Sequence, residues 1–447
     1  MTTTSRLTTA GLLLSLSLAG CATSGGPAPD GAPAAGAAVM GGNGADGTPR
    51  RRLVGDDARV ESAVKRAQGG DLTGAERDLR ELVARNPDHA LAWTNLGILH
   101  ERLAQEERAL EDYTQALERA PGLAEANLNA VRLLARRGQL SRAESEARAR
   151  VARHPGAPGA RLGLVQALLL QKKTAEAATE AKRVLKDDEQ NVRAMELLAA
   201  AWLAEDKVEL ARMVLENARA IDPRDAAIHN ALGLVQLRMN ERPQALESFK
   251  LASTLQPDLA EARNNHGALL NEAQDFEAAI VELRAAVQSA PNDAAAHLNL
   301  GNALRGKGEV KAAQAAYEKA LSLDPKLEAA WFNLGILYLD AQVPEVDDLA
   351  RYRQALGWFE TYKKQGGKDE ELSEYVRDAT RAIDREERRL EREQKAALRR
   401  AQQADADATR AAQAAKAAAD TAKSGAVGAG AKVPPATTTI EASGSKP

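Results

Sequence analysis

The chain has 447 residues, of which 60 are basic and 63 acidic, so its formal net charge at pH 7 is −3. This balance gives no general attraction to nucleic acid, and aromatic residues, which stack on single strands, make up only 3% of the chain. The single cysteine excludes a disulfide within the monomer. The length would suffice for two or three globular domains, but the residue pattern along the chain indicates a different organisation.

The N-terminus has the features of an export signal. Arg6 supplies a positive charge, and residues 7–18 form an apolar segment that is too short to span a bilayer as a mature helix. Residues 18–21, Leu-Ala-Gly-Cys, resemble the bacterial lipobox, in which the cysteine becomes the lipidated first residue. The resemblance implies that Cys21 carries several acyl chains, which anchor a protein stably. Ala22 after it favours the outer membrane under the sorting rule of enteric bacteria.

Residues 1–20 are therefore predicted to be a lipoprotein signal peptide, and residues 21–55 the lipidated cysteine with a flexible linker. Gly, Ala and Pro dominate this linker, and almost none of its side chains can form a core. A flexible chain of this length has a root-mean-square reach of ~30 Å. We expect the mature chain to be tethered near the membrane and free to turn.

The central part of the chain has a period of 34 residues. A proline keeps this period except at Glu189, and an alanine keeps it without a gap. Two residue types locked to one period predict a repeated helix-turn-helix unit. The prolines are Pro87, Pro121, Pro155, Pro223, Pro257, Pro291 and Pro325, and the alanines are Ala75, Ala109, Ala143, Ala177, Ala211, Ala245, Ala279 and Ala313.

Residues 226–259 show what one repeat requires. Their apolar residues follow helical spacing in two stretches. Asn240 lies at the break between the stretches, where a left-handed backbone is tolerated by Asn or Gly. Pro257 ends the second helix, because proline disfavours helix in the residue before it. The repeated alanine and a glycine in the first helix, here Gly233, predict a close approach of the two helices.

Two runs resemble the tetratricopeptide repeat (TPR) signature: residues 93–97, Trp-x2-Leu-Gly, and residues 331–338, Trp-x2-Leu-Gly-x2-Tyr. The resemblance covers ~310 residues and recurs in phase. It implies an all-α fold, a TPR solenoid that forms a right-handed superhelix of helix-turn-helix repeats. We assign nine repeats to residues 56–367, the last with an eight-residue insertion around Val343–Ala350.

Residues 368–423 are predicted to form a capping and charged helix. Its first turns hold four apolar residues that can cover the open end of the solenoid: Leu372, Val376, Ala379 and Ile383. Charges of both signs follow, which favours an exposed helix, since Leu390 and Leu398 give too sparse an apolar seam for a coiled coil. Residues 424–447 are rich in Gly, Ala, Thr and Pro and are predicted to be a disordered tail.

The sequence contains no recognisable catalytic or metal-binding motif: HExxH, paired cysteines and GxSxG are all missing. Residues 301–307 fit the first seven positions of a phosphate-binding P-loop, but Gly308 replaces the Ser or Thr that follows in that motif. Repeat positions explain both glycines. His229 and His297 occupy the slot of the repeat tryptophans, which indicates packed helix residues. We therefore expect no enzyme activity, cofactor, metal or small-molecule substrate.

Two sets of residues are candidates for partner binding, because the first helix of each TPR pair lines the concave face. An asparagine beside the Leu-Gly pair often points into that groove, so the resemblance implies an amide ladder for the backbone of an extended peptide. The ladder residues are Asn95, Asn129, Asn265, Asn299 and Asn333, with Asn264, Asn302 and Arg305 near them. The alternative is that asparagine is simply the common residue of this slot.

The second candidate set is a column of leucines at period 34: Leu169, Leu203 and Leu237. An apolar groove in the middle of the solenoid would suit an amphipathic partner helix. The alternative is half-buried packing between neighbouring helices.

The sequence thus predicts a lipid-anchored scaffold that faces the periplasm, binds protein partners and helps to assemble an envelope machine for motility, pilus formation or secretion. TPR lipoproteins of similar layout occur in the gliding motility machinery of myxobacteria, and the Ala/Arg-rich composition resembles that of a high-GC bacterium. The rival hypothesis is a regulator or recruiter of an envelope enzyme, such as a peptidoglycan or polysaccharide synthase. Both hypotheses place the protein in the cell envelope at the outer membrane.

Overall fold

The computed structural model describes residues 55–426, with side chains as far as residue 421. The predicted signal peptide, Cys21, almost all of the linker and the tail from residue 427 lie outside the described residues. The described part contains 19 helices and no strand. The helices are α1 (Asp56–Gln68), α2 (Leu72–Arg85), α3 (Ala90–Arg102), α4 (Glu106–Arg119), α5 (Ala124–Arg136), α6 (Leu140–Arg153), α7 (Pro158–Leu170), α8 (Thr174–Asp187), α9 (Val192–Ala204), α10 (Val208–Ile221), α11 (Ala226–Arg238), α12 (Arg242–Leu255), α13 (Ala260–Glu272), α14 (Phe276–Ser289), α15 (Ala294–Lys307), α16 (Val310–Leu323), α17 (Glu328–Asp340), α18 (Asp348–Lys364) and α19 (Leu372–Ala426).

Helices α1–α18 form nine consecutive hairpins, and each hairpin packs on the next. The predicted all-α repeat solenoid is therefore confirmed. The alanine at period 34 lies in the second helix of each hairpin and is completely buried in every repeat that has it, Ala245 included. A methyl group is all that the contact with the first helix can hold.

Replacing Ala245 by leucine should lower the free energy of unfolding by about 1–3 kcal/mol, because the larger side chain overpacks this contact. Urea unfolding followed by circular dichroism measures the change. Glu247→Leu, two residues further along α12 and exposed, is the control and should cost far less. Equal losses for the two variants would show that the contact between the helices is not close.

Aromatic or leucine side chains fill the space beside the glycine of the first helix. A Cβ on Gly233 would lie 2.5 Å from a ring carbon of Phe249, and one on Gly301 would lie equally close to Tyr317. Both rings are completely buried. The glycine is therefore required by the ring of the second helix and not by the backbone conformation of the first.

The repeat prolines have a second role that the sequence pattern did not reveal. The carbonyl oxygen of each of the seven prolines accepts a hydrogen bond from the side chain six residues later, in the first turn of the next hairpin. The donors are Trp93, Asn127, Arg161, His229, Arg263, His297 and Trp331. The repeat without the proline has Glu189 in the proline slot. Its donor slot holds Met195, whose side chain has no N–H to donate. This bond satisfies a carbonyl at the end of one hairpin and joins it to the next.

The turn within each of the first eight hairpins passes through a residue with positive φ. Glycine occupies this slot in three repeats, at Gly70, Gly138 and Gly308. The other five repeats hold a residue with a side chain there, with φ between 56° and 63°: Ala104, Lys172, Asp206, Asn240 and Gln274. The predicted left-handed turn at Asn240 is thus present in all eight hairpins.

The ninth hairpin differs because its two helices are joined by residues 341–347, which overlap the insertion predicted around Val343–Ala350; the last three residues of that insertion belong to α18. Arg351 of α18 is 5% exposed, and its Nη1 donates to the carbonyl oxygens of Tyr338 at 2.7 Å and Leu339 at 2.9 Å. These carbonyls end α17, so the guanidinium closes a helix terminus that has no regular turn. Beyond this hairpin, Leu372, Tyr375 and Val376 at the start of α19 pack against its core.

Residues 380–426 form a separate unit, which consists of the remainder of α19. Side chains 391–421 are all exposed. Ion pairs three or four residues apart line the helix, including Arg389 with Glu386 and Glu393, and Lys395 with Glu391. This exposure agrees with the predicted charged helix, and such pairs stabilise a helix by ~0.2–0.5 kcal/mol each.

Candidate interaction surface

The superhelix brings distant repeats together around a common inner space. Gln68, the last residue of α1, donates a hydrogen bond from Nε2 to Oδ2 of Asp258, just before α13, at 3.3 Å. The two residues are 190 positions apart. Arg102, the last residue of α3, interacts electrostatically with the same carboxylate. The first helices of the hairpins turn one surface toward this space. We call this surface the inner face.

Three amides of the predicted ladder bind other asparagine side chains of the chain itself. Nδ2 of Asn265 donates to Oδ1 of Asn230 at 2.9 Å, and Nδ2 of Asn299 donates to Oδ1 of Asn264 at 3.0 Å. Nδ2 of Asn333 donates to Oδ1 of Asn302 at 2.8 Å.. Each bond joins the first helices of neighbouring hairpins.

Asn265, Asn299 and Asn333 are completely buried by this arrangement. This corrects the expectation that the amides point into the groove with free donors and acceptors. The slot beside the Leu-Gly pair faces the neighbouring first helix, so these amides hold adjacent repeats together. A role in reading the backbone of a partner stays a prediction.

The other members of the predicted ladder also have partners within the chain. Nδ2 of Asn95 donates to the carbonyl of Leu91 in its own helix at 2.9 Å, and Oδ1 of Asn129 accepts from Arg132. Asn302 accepts a second bond from the Tyr317 hydroxyl at 2.9 Å. Arg305, which is half-buried, lies close enough to the Tyr317 hydroxyl to hydrogen-bond with it.

The predicted leucine column belongs to the core. Leu169 and Leu203 are buried in the cluster that runs through repeats 3 to 7, and Leu237 packs against this cluster while partly exposed. This is the placement that the packing alternative describes. Only Leu237 of this column is accessible to an amphipathic partner helix. These residues therefore do not form the apolar groove that was predicted.

Charged residues that the sequence analysis missed lie on the inner face. Glu261 of α13 interacts electrostatically with Arg132 of α5, with Arg193 and Glu196 of α9, and with Asp293. Burial raises the pKa of the Glu261 carboxyl to about 8. Arg132 opposes this rise, and the negative charges of Asp293 and Glu196 add to it.

Arg193 and Arg132 differ in how their charges are compensated. The carboxylate of Glu196 raises the pKa of Arg193, whereas burial lowers the pKa of Arg132. The sequence did contain one signal for these charges: the second residue of repeats 3, 5 and 7 is charged, as Glu125, Arg193 and Glu261. That signal does not show which repeats face each other across the superhelix.

No other type of site is found in the described residues. Residues 301–307, which resemble part of a P-loop, are the last turns of α15. No three carboxylate, histidine or cysteine side chains among residues 55–421 come together as a metal site would require. In the same part of the chain, every helix is either too short or too polar to cross a bilayer.

Sequence comparisons identify the repeats. The family model described as "Tetratricopeptide repeat" matches residues 63–124, 128–182 and 230–294, and the model described as "TPR repeat" matches residues 301–342. Together these ranges cover half of the chain. No curated protein matches the sequence.

One solved structure shares the fold, and a second matches with a lower score. A chain of the APC/C hetero-tetramer Cut9–Hcn1 aligns with a TM-score of 0.55 and 17% identity, over 73% of this chain and 64% of its own length. A tetratricopeptide repeat protein from Parabacteroides merdae aligns over 56% of this chain and 98% of its own length, with 18% identity and a TM-score of 0.40. The first likeness shows the fold alone, and this chain spans 64% of the length of that matched chain. With the matched repeats and the nine hairpins, the chain belongs to the tetratricopeptide repeat family, whose repeats are scaffolds for protein–protein interaction.

Proposed function

We propose that this chain is a lipid-anchored scaffold of the bacterial cell envelope that holds protein partners while an envelope machine is assembled. The observation that carries the proposal is the order of segments: an apolar export signal, Leu-Ala-Gly-Cys at residues 18–21, a Gly/Ala/Pro-rich linker and then the repeats. A tether followed by a binding solenoid positions partners near a membrane. Assembly of a motility, pilus or secretion complex is the process that we favour, in a myxobacterium-like organism with the protein at the outer membrane.

The anchoring step is tested by Cys21→Ser. The variant should lose palmitate labelling, and the mature protein should move from the membrane fraction to the soluble fraction, because the serine hydroxyl cannot replace the thiol in lipidation. Immunoblotting of both fractions measures the change. Membrane fractionation and labelling equal to those of the unchanged chain would contradict the anchor.

The scaffold step is tested by crosslinking in cells. A photo-crosslinking residue in place of Arg102, on the inner face, should capture a partner protein. The same residue in place of Val281, which lies on α14 and is 65% exposed, is the control on a second helix. Capture from position 281 but not from position 102 would show that partners do not bind the inner face.

A further inference from the structure

The carboxylate of Glu261 is buried without a partner. The residue is 7% exposed, and it makes no hydrogen bond or ion pair with any other described residue. Arg132 and Arg193 oppose the effect of burial on this carboxylate, but neither touches it directly. A carboxylate that is largely withdrawn from water without a direct contact is unfavourable, and the N-terminal end of α13 offsets only part of this cost.

The neighbouring cations are engaged elsewhere. Arg193 donates a hydrogen bond to the carboxylate of Glu196, and Arg132 donates one to Oδ1 of Asn129 in its own helix. Across the inner space, Arg102 faces Asp258. Among the described residues, neither Arg132 nor Arg193 forms a direct ion pair with Glu261.

Carboxyl groups outnumber arginines among the groups that interact electrostatically with Arg193 and Glu261. The two arginines stand against five carboxylates, those of Glu125, Glu196, Asp225, Glu261 and Asp293. Two of the five are partly compensated, since Asp225 and Asp293 accept hydrogen bonds from backbone N–H groups at the starts of α11 and α15. The unpartnered member, Glu261, lies on the first helix of repeat 7 and interacts electrostatically with residues on the first helices of repeats 3 and 5.

We infer that the inner face at Glu261 receives a basic side chain, lysine or arginine, from an extended segment of a protein partner. The long apolar stem of such a side chain can carry its charge to a carboxylate that the partner backbone does not reach. The resulting charge-assisted hydrogen bond supplies the contact that Glu261 lacks. This inference rests on the proposed function only in taking the ligand to be a protein segment.

The titration of Glu261 supports this assignment. Its pKa is raised to about 8 by burial, with Asp293 and Glu196 adding to the rise and Arg132 and Arg193 opposing it. Perturbed carboxylates of this kind are enriched at functional sites. A cation bound against Glu261 would keep the carboxylate ionised at neutral pH, and a proton would no longer be needed.

The test measures capture of peptide libraries by the full chain immobilised on beads. One library has a central lysine flanked by four variable small or polar residues on each side, and the other has norleucine, which keeps the four-carbon stem of lysine without its ammonium group. The unchanged chain should capture the lysine library ~10-fold better, since a hydrogen bond to a charged group contributes ~1.5–3 kcal/mol. Glu261→Gln should capture the two libraries about equally.

Two further measurements separate recognition from structure. Glu209→Gln, an exposed carboxylate on α10, changes the net charge equally and should keep the preference for lysine. The melting temperature of Glu261→Gln should be unchanged or higher, because glutamine is neutral without taking up the proton that Glu261 must bind on folding. The inference is overturned if Glu261→Gln keeps the lysine preference, if the unchanged chain shows none, or if Glu209→Gln loses it equally. A Glu261→Gln variant that melts at a lower temperature and binds peptides as before would make Glu261 a structural link to Arg132.

Failure of the Cys21→Ser test would contradict the lipid anchor alone and would leave this inference untouched.

Discussion

Replacing Phe249 by alanine is expected to lower the free energy of unfolding by about 3–5 kcal/mol. The ring is completely buried, and it occupies the space that Gly233 leaves in the first helix of the same hairpin. Alanine would leave a cavity that the hairpin cannot close without bringing α11 and α12 together, which the turn and the neighbouring repeats prevent. The loss should exceed that of Ala245→Leu in the same helix.

Urea unfolding followed by circular dichroism measures this loss, and hydrogen exchange shows where it acts. Because repeats contact only their neighbours in sequence, apart from the contacts across the inner space, protection should fall most in α11, α12 and the adjacent hairpins. Leu251→Ala on α12 is the matched control, since Leu251 is 42% exposed, and it should cost less than ~1 kcal/mol. Similar losses for the two variants would mean that the Phe249 ring does not fill a tight space.

Raising the pH is expected to destabilise the unchanged chain relative to Glu261→Gln. The pKa of Glu261 is about 8 in the folded chain and 4.5 in an ordinary exposed glutamate. The folded chain therefore binds this proton when the unfolded chain has already lost it. The destabilisation is absent below pH 4.5, grows as the pH rises toward 8 and stays constant above it.

Each pKa unit of difference corresponds to ~1.4 kcal/mol, and relaxation around a buried charge reduces the full effect. We therefore expect a relative loss of about 2–4 kcal/mol across this window. Urea midpoints of both proteins at about pH 5, 7 and 9 measure it, and subtraction cancels the titration of all other groups. Parallel pH profiles would show that the folded chain does not hold a proton at Glu261.

The repeat architecture was predictable because it depends on short-range rules that recur in phase. A proline that ends a helix and an alanine that permits close packing act within one hairpin, so their period alone gives the helix pairs. The hydrogen bond between the proline carbonyl and the side chain six residues later is also local. It was missed because its donors are chemically diverse: tryptophan, asparagine, arginine and histidine share only an N–H group.

The inner face was not predictable in the same way. The contact between Gln68 and Asp258 depends on the rotation accumulated over six repeats, and no local pattern encodes that sum. The direction of Asn265 and its equivalents was misjudged because their slot borders both the groove and the neighbouring first helix. Arg351 was missed since its role depends on the irregular connection between α17 and α18, where the repeat pattern ends.

The left-handed turns affect the stability of the repeats and lie outside the residues that are proposed to bind a partner. Ala104, Lys172, Asp206, Asn240 and Gln274 hold a backbone conformation that glycine adopts without the penalty of ~1 kcal/mol or more that a side chain introduces. All five are exposed at the tips of their hairpins, away from Glu261 and the buried amides. Single substitutions there can change the stability of one repeat without replacing Glu261 or any of the buried amides. Stability can thus change through substitutions in the turns, and partner binding through substitutions on the inner face.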